Sequence, residues 1–332
     1  MAERINKSDL CENNIIICGL LSILADQIFI MKKYLILFIA LLVTTATITI
    51  ESCKSSQASA SKLLKFNLEK GKGYEYEMVW DLNQEVMNQG IKMDVTAGYS
   101  MDIIEDDGKI KTLSAVYNDF KMNMQVMGIE INIDTNKPSP DVDMEDAKSN
   151  PSALMNKLLS SIKGKKFNMK VNEQGEVMEV TGFEQIAKDM VDSLGMPEEY
   201  KEKMEATAKD QFNGDDIKKQ FSQMFYIFPN KDVKVGDSWK TNYATGGKMP
   251  AKYNNTYTVK EIEGDIVTLD AKTTIETENE TIKLDGNQTG KLLVDSKTGL
   301  VVNADFEQDI KASVGGQSMT IKGKGRIKGK AR

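Results

Sequence analysis

The amino-acid sequence predicts an α+β fold, predominantly antiparallel β: a curved sheet or half-barrel-like β blocks with a central helical insert packed on it. Three observations predict it. Apolar and polar residues alternate with a period of two through residues 65–135 and again through residues 233–332, the pattern of antiparallel strands with one covered face. Between them, residues 150–228 carry apolar residues mainly at helical spacing. Strands, then helices, then strands is the element order of an α+β chain, built as one curved sheet or two packed ones.

Two apolar runs precede the first block. The first, NNIIICGLLSILADQIFI, is interrupted by Asp26. The second starts at Met31 with Lys32 and Lys33, continues through an apolar core from Tyr34 to Val43, and approaches Cys53 through threonines. That is the layout of a secretory signal, with the positive end held in the cytoplasm. Residues 31–52 are therefore expected to be a signal peptide. Residues 1–30, with Cys11 and Cys18, are expected to be an upstream extension ahead of the true start. The competing expectation is a membrane-spanning helix, since Tyr34 to Ile50 nearly reaches the ~20 residues a bilayer needs.

Ile50-Glu51-Ser52-Cys53 closes the run and resembles a bacterial lipobox, with Glu51 where a small or apolar residue is usual. The resemblance implies cleavage between Ser52 and Cys53 and lipidation of Cys53. Two or three acyl chains on one cysteine hold a protein firmly, where a single chain does not. Residues 53–64 then form the lipidated cysteine and a Ser/Ala-rich flexible tether. Lys54 stands where an inner-membrane retention signal would place Asp, so the resemblance implies an outer-membrane lipoprotein with its domain in the periplasm.

The exported domain, residues 65–332, comprises a β block (65–135), the mainly helical insert (150–228) and a second β block (233–332). In the first block, YEYEMVWDLNQEVM and IKMDVTAGYSMDII alternate around a turn at Asn88-Gln89-Gly90, EDDGK marks the next turn, and a bend is expected near Gly128. In the insert, Pro151 suits a first helical turn, and Leu154, Leu158, Leu159 and Ile162 share a face that Gly164 ends. A hairpin turns at Glu173-Gln174-Gly175. Thr181 to Glu184 has the form of a capping box ahead of a stripe of Phe183, Ile186, Met190 and Leu194, stopped by Gly195. Pro197 opens a helix carrying Tyr200, Met204 and Phe212, and Ile217, Phe221, Met224 and Phe225 mark the last one. The second block has turns at Glu263-Gly264-Asp265, Lys297-Thr298-Gly299 and Gly315-Gly316. The hairpins around MNQGIKM, MGIEI and GGQSM look alike, as a diverged duplication would leave them.

Composition removes most chemistry. The chain has no histidine, and its 3 cysteines all lie at or before Cys53. Ser-His-Asp triads, Cys-His dyads, thiol nucleophiles and His-ligated zinc are excluded together. The net charge of −6 argues against nucleic acid as a partner. GDSW at 236–239 looks like the start of an esterase motif but has no histidine to activate Ser238, and reads as a turn before a strand. DVDMEDAKSNPS at 141–152 has alternating carboxylates but Asp146 and Ser152 where a calcium loop needs Gly and Glu. Met122 and Met124 share a strand face and suit Cu(I) chemically, but without His or Cys partners they read as pliable apolar surface. EDD at 105–107 supplies carboxylates that a glycoside hydrolase would need in facing pairs. The basic end, IKGKGRIKGKAR, reads as a final edge strand protected by Lys and Gly.

FPNKDVKVGDSWKTNY and GKLLVDSKTGLVVNADFEQDI, through Pro229, Val233 to Trp239, and Asp295 to Leu300, resemble an uncharacterised family of bacterial envelope lipoproteins. The family's general shape is similar to lipoprotein carriers with a half-barrel sheet closed by helices, and it implies no activity. The expectation is a non-enzymatic domain with no cofactor, metal or catalytic residue. Its partners are the membrane through its anchor, and an amphiphile or envelope protein held between sheet and helices. The alternatives are an assembly module working through an exposed edge and a carboxylate-dependent hydrolase.

Overall fold

Alternating inward apolar and outward polar side chains produce strands longer than usual. In a computed structural model of the chain, the described residues are 61–86, 89–126, 129–138, 150–195, 201–202, 214–245, 251–277, 282–314 and 317–332. They form β1 (Lys62–Leu64), β2 (Gly73–Val86), β3 (Gln89–Asp106), β4 (Ile110–Val126), β5 (Ile129–Asp134), α1 (Pro151–Ile162), β6 (Lys166–Asn172) and β7 (Val177–Thr181). Then come α2 (Phe183–Ser193), α3 (Gly214–Phe225), β8 (Lys231–Val233), β9 (Ser238–Ala244), β10 (Lys252–Glu263), β11 (Ile266–Glu276), β12 (Ile282–Asp295), β13 (Val301–Val314) and β14 (Gln317–Ala331). None of the described helices is long and apolar enough to cross a membrane.

Twelve of these strands make one antiparallel sheet in the order β7-β6-β4-β3-β2-β14-β13-β12-β11-β10-β9, with β5 on the far half of β4. β1 and β8 pair separately. The sheet is two up-and-down meanders joined where β14 pairs with β2 along thirteen residues, from Met319↔Val86 to Ala331↔Tyr74.

This corrects the predicted α+β class. Strand accounts for 64% and helix for 14% of the described residues, and the fold is mostly antiparallel β. The two β blocks are not separate layers, and the insert is not separate from them. Its own hairpin, β6–β7, extends the same sheet from β4. Sequence periodicity reports each strand's local pattern but not that the first and last strands pair, so it left one curved sheet and two packed ones as alternatives, and the structure has the single curved sheet.

Two smaller expectations also change. β14 is not an edge strand: it is hydrogen-bonded to β13 and β2 near the middle of the sheet. Its outward cations are used in cross-strand pairs, Lys324 with Glu307 at 2.9 Å, Arg326 with Asp305 at 3.0 Å and Lys330 with Glu75 at 2.8 Å. Thr181 is the last residue of β7, and α2 starts after Gly182 without a side-chain cap, so no capping box forms. The expected Tyr200–Met204–Phe212 helix face lies outside the described residues. By contrast Asn150 caps α1, accepting from the Ala153 N–H, with Pro151 in the first turn.

One face of the sheet gathers the core. On β2, Tyr74, Tyr76, Trp80, Leu82 and Gln84 are buried while Glu75, Glu77, Asp81 and Glu85 face outward. Each large apolar side chain removed from water contributes about 1.5–3 kcal/mol, and inward residues of β2, β3, β4, β6, β7 and β9 through β14 join one continuous cluster. Ile133 of β5 packs with Met155 and Leu159 of α1 in a second. The sheet is strongly curved. Five strand spacings separate β2 from β10, about 24 Å if flat, yet Tyr76 and Tyr257 line one small cavity.

Candidate binding site on the concave face

The curled sheet does not close on itself: β7 and β9 are its two ends. α3 fills the gap and touches both. Its sequence, GDDIKKQFSQMF, places Ile217, Phe221 and Phe225 four residues apart on one helix face, and Ile217 and Phe225 are buried. Phe221 packs on Phe167 of β6 with ring centroids 5.3 Å apart. Phe225 meets Phe66 at 5.7 Å and Tyr76 at 6.4 Å, both edge-on.

Hydrogen bonds fasten the helix to each sheet edge. The Val177 N–H of β7 donates to Ser222 Oγ at 3.2 Å, and the Trp239 indole N–H of β9 donates to the Ile227 carbonyl at 2.9 Å. The Phe228 N–H donates to the Gln174 carbonyl in the β6–β7 turn at 3.3 Å. Gly175 in that turn has φ +84, and a Cβ there would lie 1.6 Å from the Phe225 carbonyl oxygen. Only glycine permits this approach.

Beneath α3 is a cavity of about 30 Å³ lined by Tyr76, Met224, Phe225, Phe228, Tyr257, Leu292 and Phe306 among others. It has room for one or two waters. Tyr99 donates its hydroxyl to Met224 Sδ and stacks on Tyr76 at 5.3 Å. Burial pushes the Tyr76, Tyr99 and Tyr257 phenols well above their ordinary range, and Tyr117 up to about 12. Each remains a neutral hydroxyl at physiological pH.

One row across the concave face is polar. Thr241 of β9 opposes Asn255 of β10, which opposes Thr273 of β11, then Gln288 of β12 and Gln308 of β13. All five are buried. Asn255 Nδ2 donates to Thr241 Oγ1 at 3.1 Å, and Thr273 Oγ1 donates to Asn255 Oδ1 at 2.7 Å. The chain of bonds stops there. Both amide atoms of Gln288 and of Gln308 are buried without a hydrogen-bond partner, as is Gln84 Oε1 on β2. An unsatisfied buried amide costs about 1–3 kcal/mol. This row was missed in the sequence, though the signal is there: polar residues at the inward parity of five consecutive strands.

The residues singled out in the sequence fall elsewhere. Ser52, Cys53 and the run from Tyr34 lie outside the described residues, as does most of the acidic loop 141–152. Ser238 begins β9 after a turn at Gly236 (φ +93) and bonds Thr258 Oγ1 at 2.8 Å on the surface, so GDSW is a turn. The EDD carboxylates are engaged in their own hairpin: Glu105 accepts from Thr112, Asp106 pairs with the buried Lys111, and Asp107 accepts from the Lys109 and Ile110 N–H groups. Met122 and Met124 do share one face of β4, opposite Val95 and Met93, packed against the core. The Val233–Trp239 and Asp295–Leu300 stretches both form turns, the second with the Thr298 carbonyl accepting from the Asn67 N–H at 2.9 Å.

No curated protein matches the chain in sequence. Among solved structures it is similar to one on lipid–protein interactions in lipovitellin, with 8% identity and a TM-score of 0.45 over 80% of this chain. The chain spans about a quarter (25%) of that lipovitellin chain. It is also similar to the β domain of the Bordetella autotransporter BrkA, with 6% identity and a TM-score of 0.34 over 77% of this chain and 98% of that one. A family model matches residues 108–301, which takes in β4 through the start of β13 and all of α1, α2 and α3: the chain belongs to a family of unknown function (DUF6263).

Proposed function

We infer that this chain is a non-enzymatic, membrane-anchored envelope domain that binds an amphiphile between its concave sheet face and α3. The observation that carries the reading is the way the apolar concave face is covered. A sheet this broad could be closed by strand pairing, but among the described residues its gap is spanned by the 12-residue α3, joined to the two edges through the Val177 and Trp239 N–H bonds. An acyl chain entering there would displace α3 from its Tyr76 and Tyr99 contacts and replace them with equivalent apolar ones, so the exchange is close to neutral in buried area. Met224, unbranched and polarizable, suits a surface that must repack. The cavity of about 30 Å³ is the closed state, and cargo requires α3 to move outward.

The anchor belongs to the same reading. Lipidation at Cys53 after removal of residues up to Ser52 would hold the domain at the outer membrane facing the periplasm. The tether is shorter than the expected 53–64, because Lys62–Leu64 is strand β1 paired with β8 and Leu64 is buried. Intact mass of protein taken from envelope membranes tests this: a chain starting at Cys53 with a diacylglyceryl increment, lost in Cys53→Ser, supports it, and an unmodified cysteine contradicts it.

Binding is read from the two tryptophans, Trp80 and Trp239, both buried on the concave side. A dibrominated stearoyl chain bound inside should quench their emission, and an unbrominated chain should not. Equal emission with both would overturn the amphiphile reading. The closed-core alternative, an assembly module, is favoured by the small cavity; it predicts no quenching and a copurifying envelope protein.

A further inference from the structure

We propose that the polar row on the concave face is a headgroup subsite for an uncharged polar group, selecting an amphiphile that carries both a hydrogen-bond donor and an acceptor. The proposal rests on the binding reading above and deepens it. Five opposed side chains form the row, Thr241, Asn255, Thr273, Gln288 and Gln308, and Gln84 is a further buried amide on β2.

The half of the row on β9, β10 and β11 is internally bonded, which fixes Asn255 between two threonines. The other half is not. Gln288 and Gln308 stand directly opposite each other, yet neither amide bonds the other, leaving two amide nitrogens and two carbonyl oxygens unpaired inside the protein. Gln308 lies over Gly323, where a Cβ would sit 3.2 Å from its Nε2. Glycine there leaves the amide head room that any other residue would take.

The row adjoins the cavity. Phe306 and Gln308 are successive inward residues of β13, and Leu292 is two inward positions from Gln288 on β12. Successive inward residues are about 7 Å apart, so a headgroup at the glutamines places an attached chain among Phe306, Leu292 and Tyr76.

The chemistry of the ligand follows from the charges. Every described buried position on the concave face of β9 through β14 is apolar or neutral, and the lysines and carboxylates of β13 and β14 pair on the opposite face. A charged head would be buried without a counter-charge, which is strongly unfavourable. Carboxamides offer a donor and an acceptor together, matching a head that carries a hydroxyl beside an ester, or an amide.

The test uses the full chain held in amphipol, titrated with three dibrominated C18 probes: 1-(9,10-dibromostearoyl)glycerol, 9,10-dibromostearate and 9,10-dibromooctadecane, with tryptophan quenching as readout. The glycerol ester should bind at least tenfold tighter than the hydrocarbon and the carboxylate. In the Gln288→Leu/Gln308→Leu double variant that preference should vanish while hydrocarbon binding persists, and the melting temperature without ligand should hold or rise, because unpartnered amides have been removed. A double variant that keeps the tenfold preference overturns the subsite and leaves the binding reading standing, as does a preference for the carboxylate. A variant that melts lower without ligand would show the amides already paired, and the subsite would fall. Absence of quenching by all three probes in the unsubstituted chain would defeat the binding reading itself and this subsite with it.

Discussion

Trp239 carries two tasks at one sheet edge: its ring stacks on Tyr257 with centroids 5.7 Å apart, and its indole N–H is the bond from β9 to the segment after α3. Trp239→Phe keeps most of the ring and removes the donor, leaving the Ile227 carbonyl unsatisfied. We expect a loss of about 1–3 kcal/mol, measured by urea denaturation. Gly325 tests the same core by crowding instead of deletion. Trp80 lies across it so closely that a Cβ would meet the ring at 2.3 Å, so Gly325→Ala should cost about 1–3 kcal/mol through overpacking. Outward positions of the same strand are more tolerant, and Lys322→Ala should change stability by less than about 1 kcal/mol. Features of this kind were half legible in the sequence. Gly164, Gly175, Gly195, Gly264 and Gly299 were read as turn or stop signals and all have positive φ. The inward glycines of β14 were read as edge protection, because a Gly-Lys alternation looks the same whether glycine faces solvent or a tryptophan.

Among the elements, α3 differs from the strands it covers. β12, β13 and β14 are each hydrogen-bonded on both sides over most of their length. α3 and the turn after it are held to the sheet edges by side-chain packing and by the Val177 and Trp239 N–H bonds to Ser222 and Ile227. Local opening should therefore be cheaper for α3. Hydrogen exchange by mass spectrometry should show α3 amides exchanging at least tenfold faster than those of β13, and equal protection would remove the helix as a movable cover. The helix itself was readable from Ile217, Phe221 and Phe225. Its place was not: spacing along one segment reveals an apolar face but not that the face bridges β7 and β9, which are distant in sequence.

For the whole molecule, the absence of histidine simplifies the response to pH. No side chain of the described residues has an ordinary pKa between those of carboxylates and those of lysine and tyrosine, so stability should be flat from about pH 5 to 9. Lys111 holds Asp106 below the usual carboxylate range, and Lys65 does the same for Glu173. Their contribution is present above the unfolded value and lost as pH falls through the depressed one, so stability should decline below about pH 4. The buried tyrosines shift the other way. Their raised pKa means stability is intact below about pH 10 and lost above it, as the unfolded phenols ionise and the folded ones cannot. Thermal unfolding followed across pH 3–11 would check both limbs, and a transition near pH 6–7 would contradict them.

The binding reading and its subsite both depend on the concave face, closed by α3, accepting an amphiphile. The decisive experiment is native mass spectrometry of the full chain, purified from its own membranes and released from detergent in the gas phase. We expect a noncovalent adduct that organic solvent releases as an uncharged lipid. A clean apo mass, with no adduct at any release energy, would contradict the binding reading.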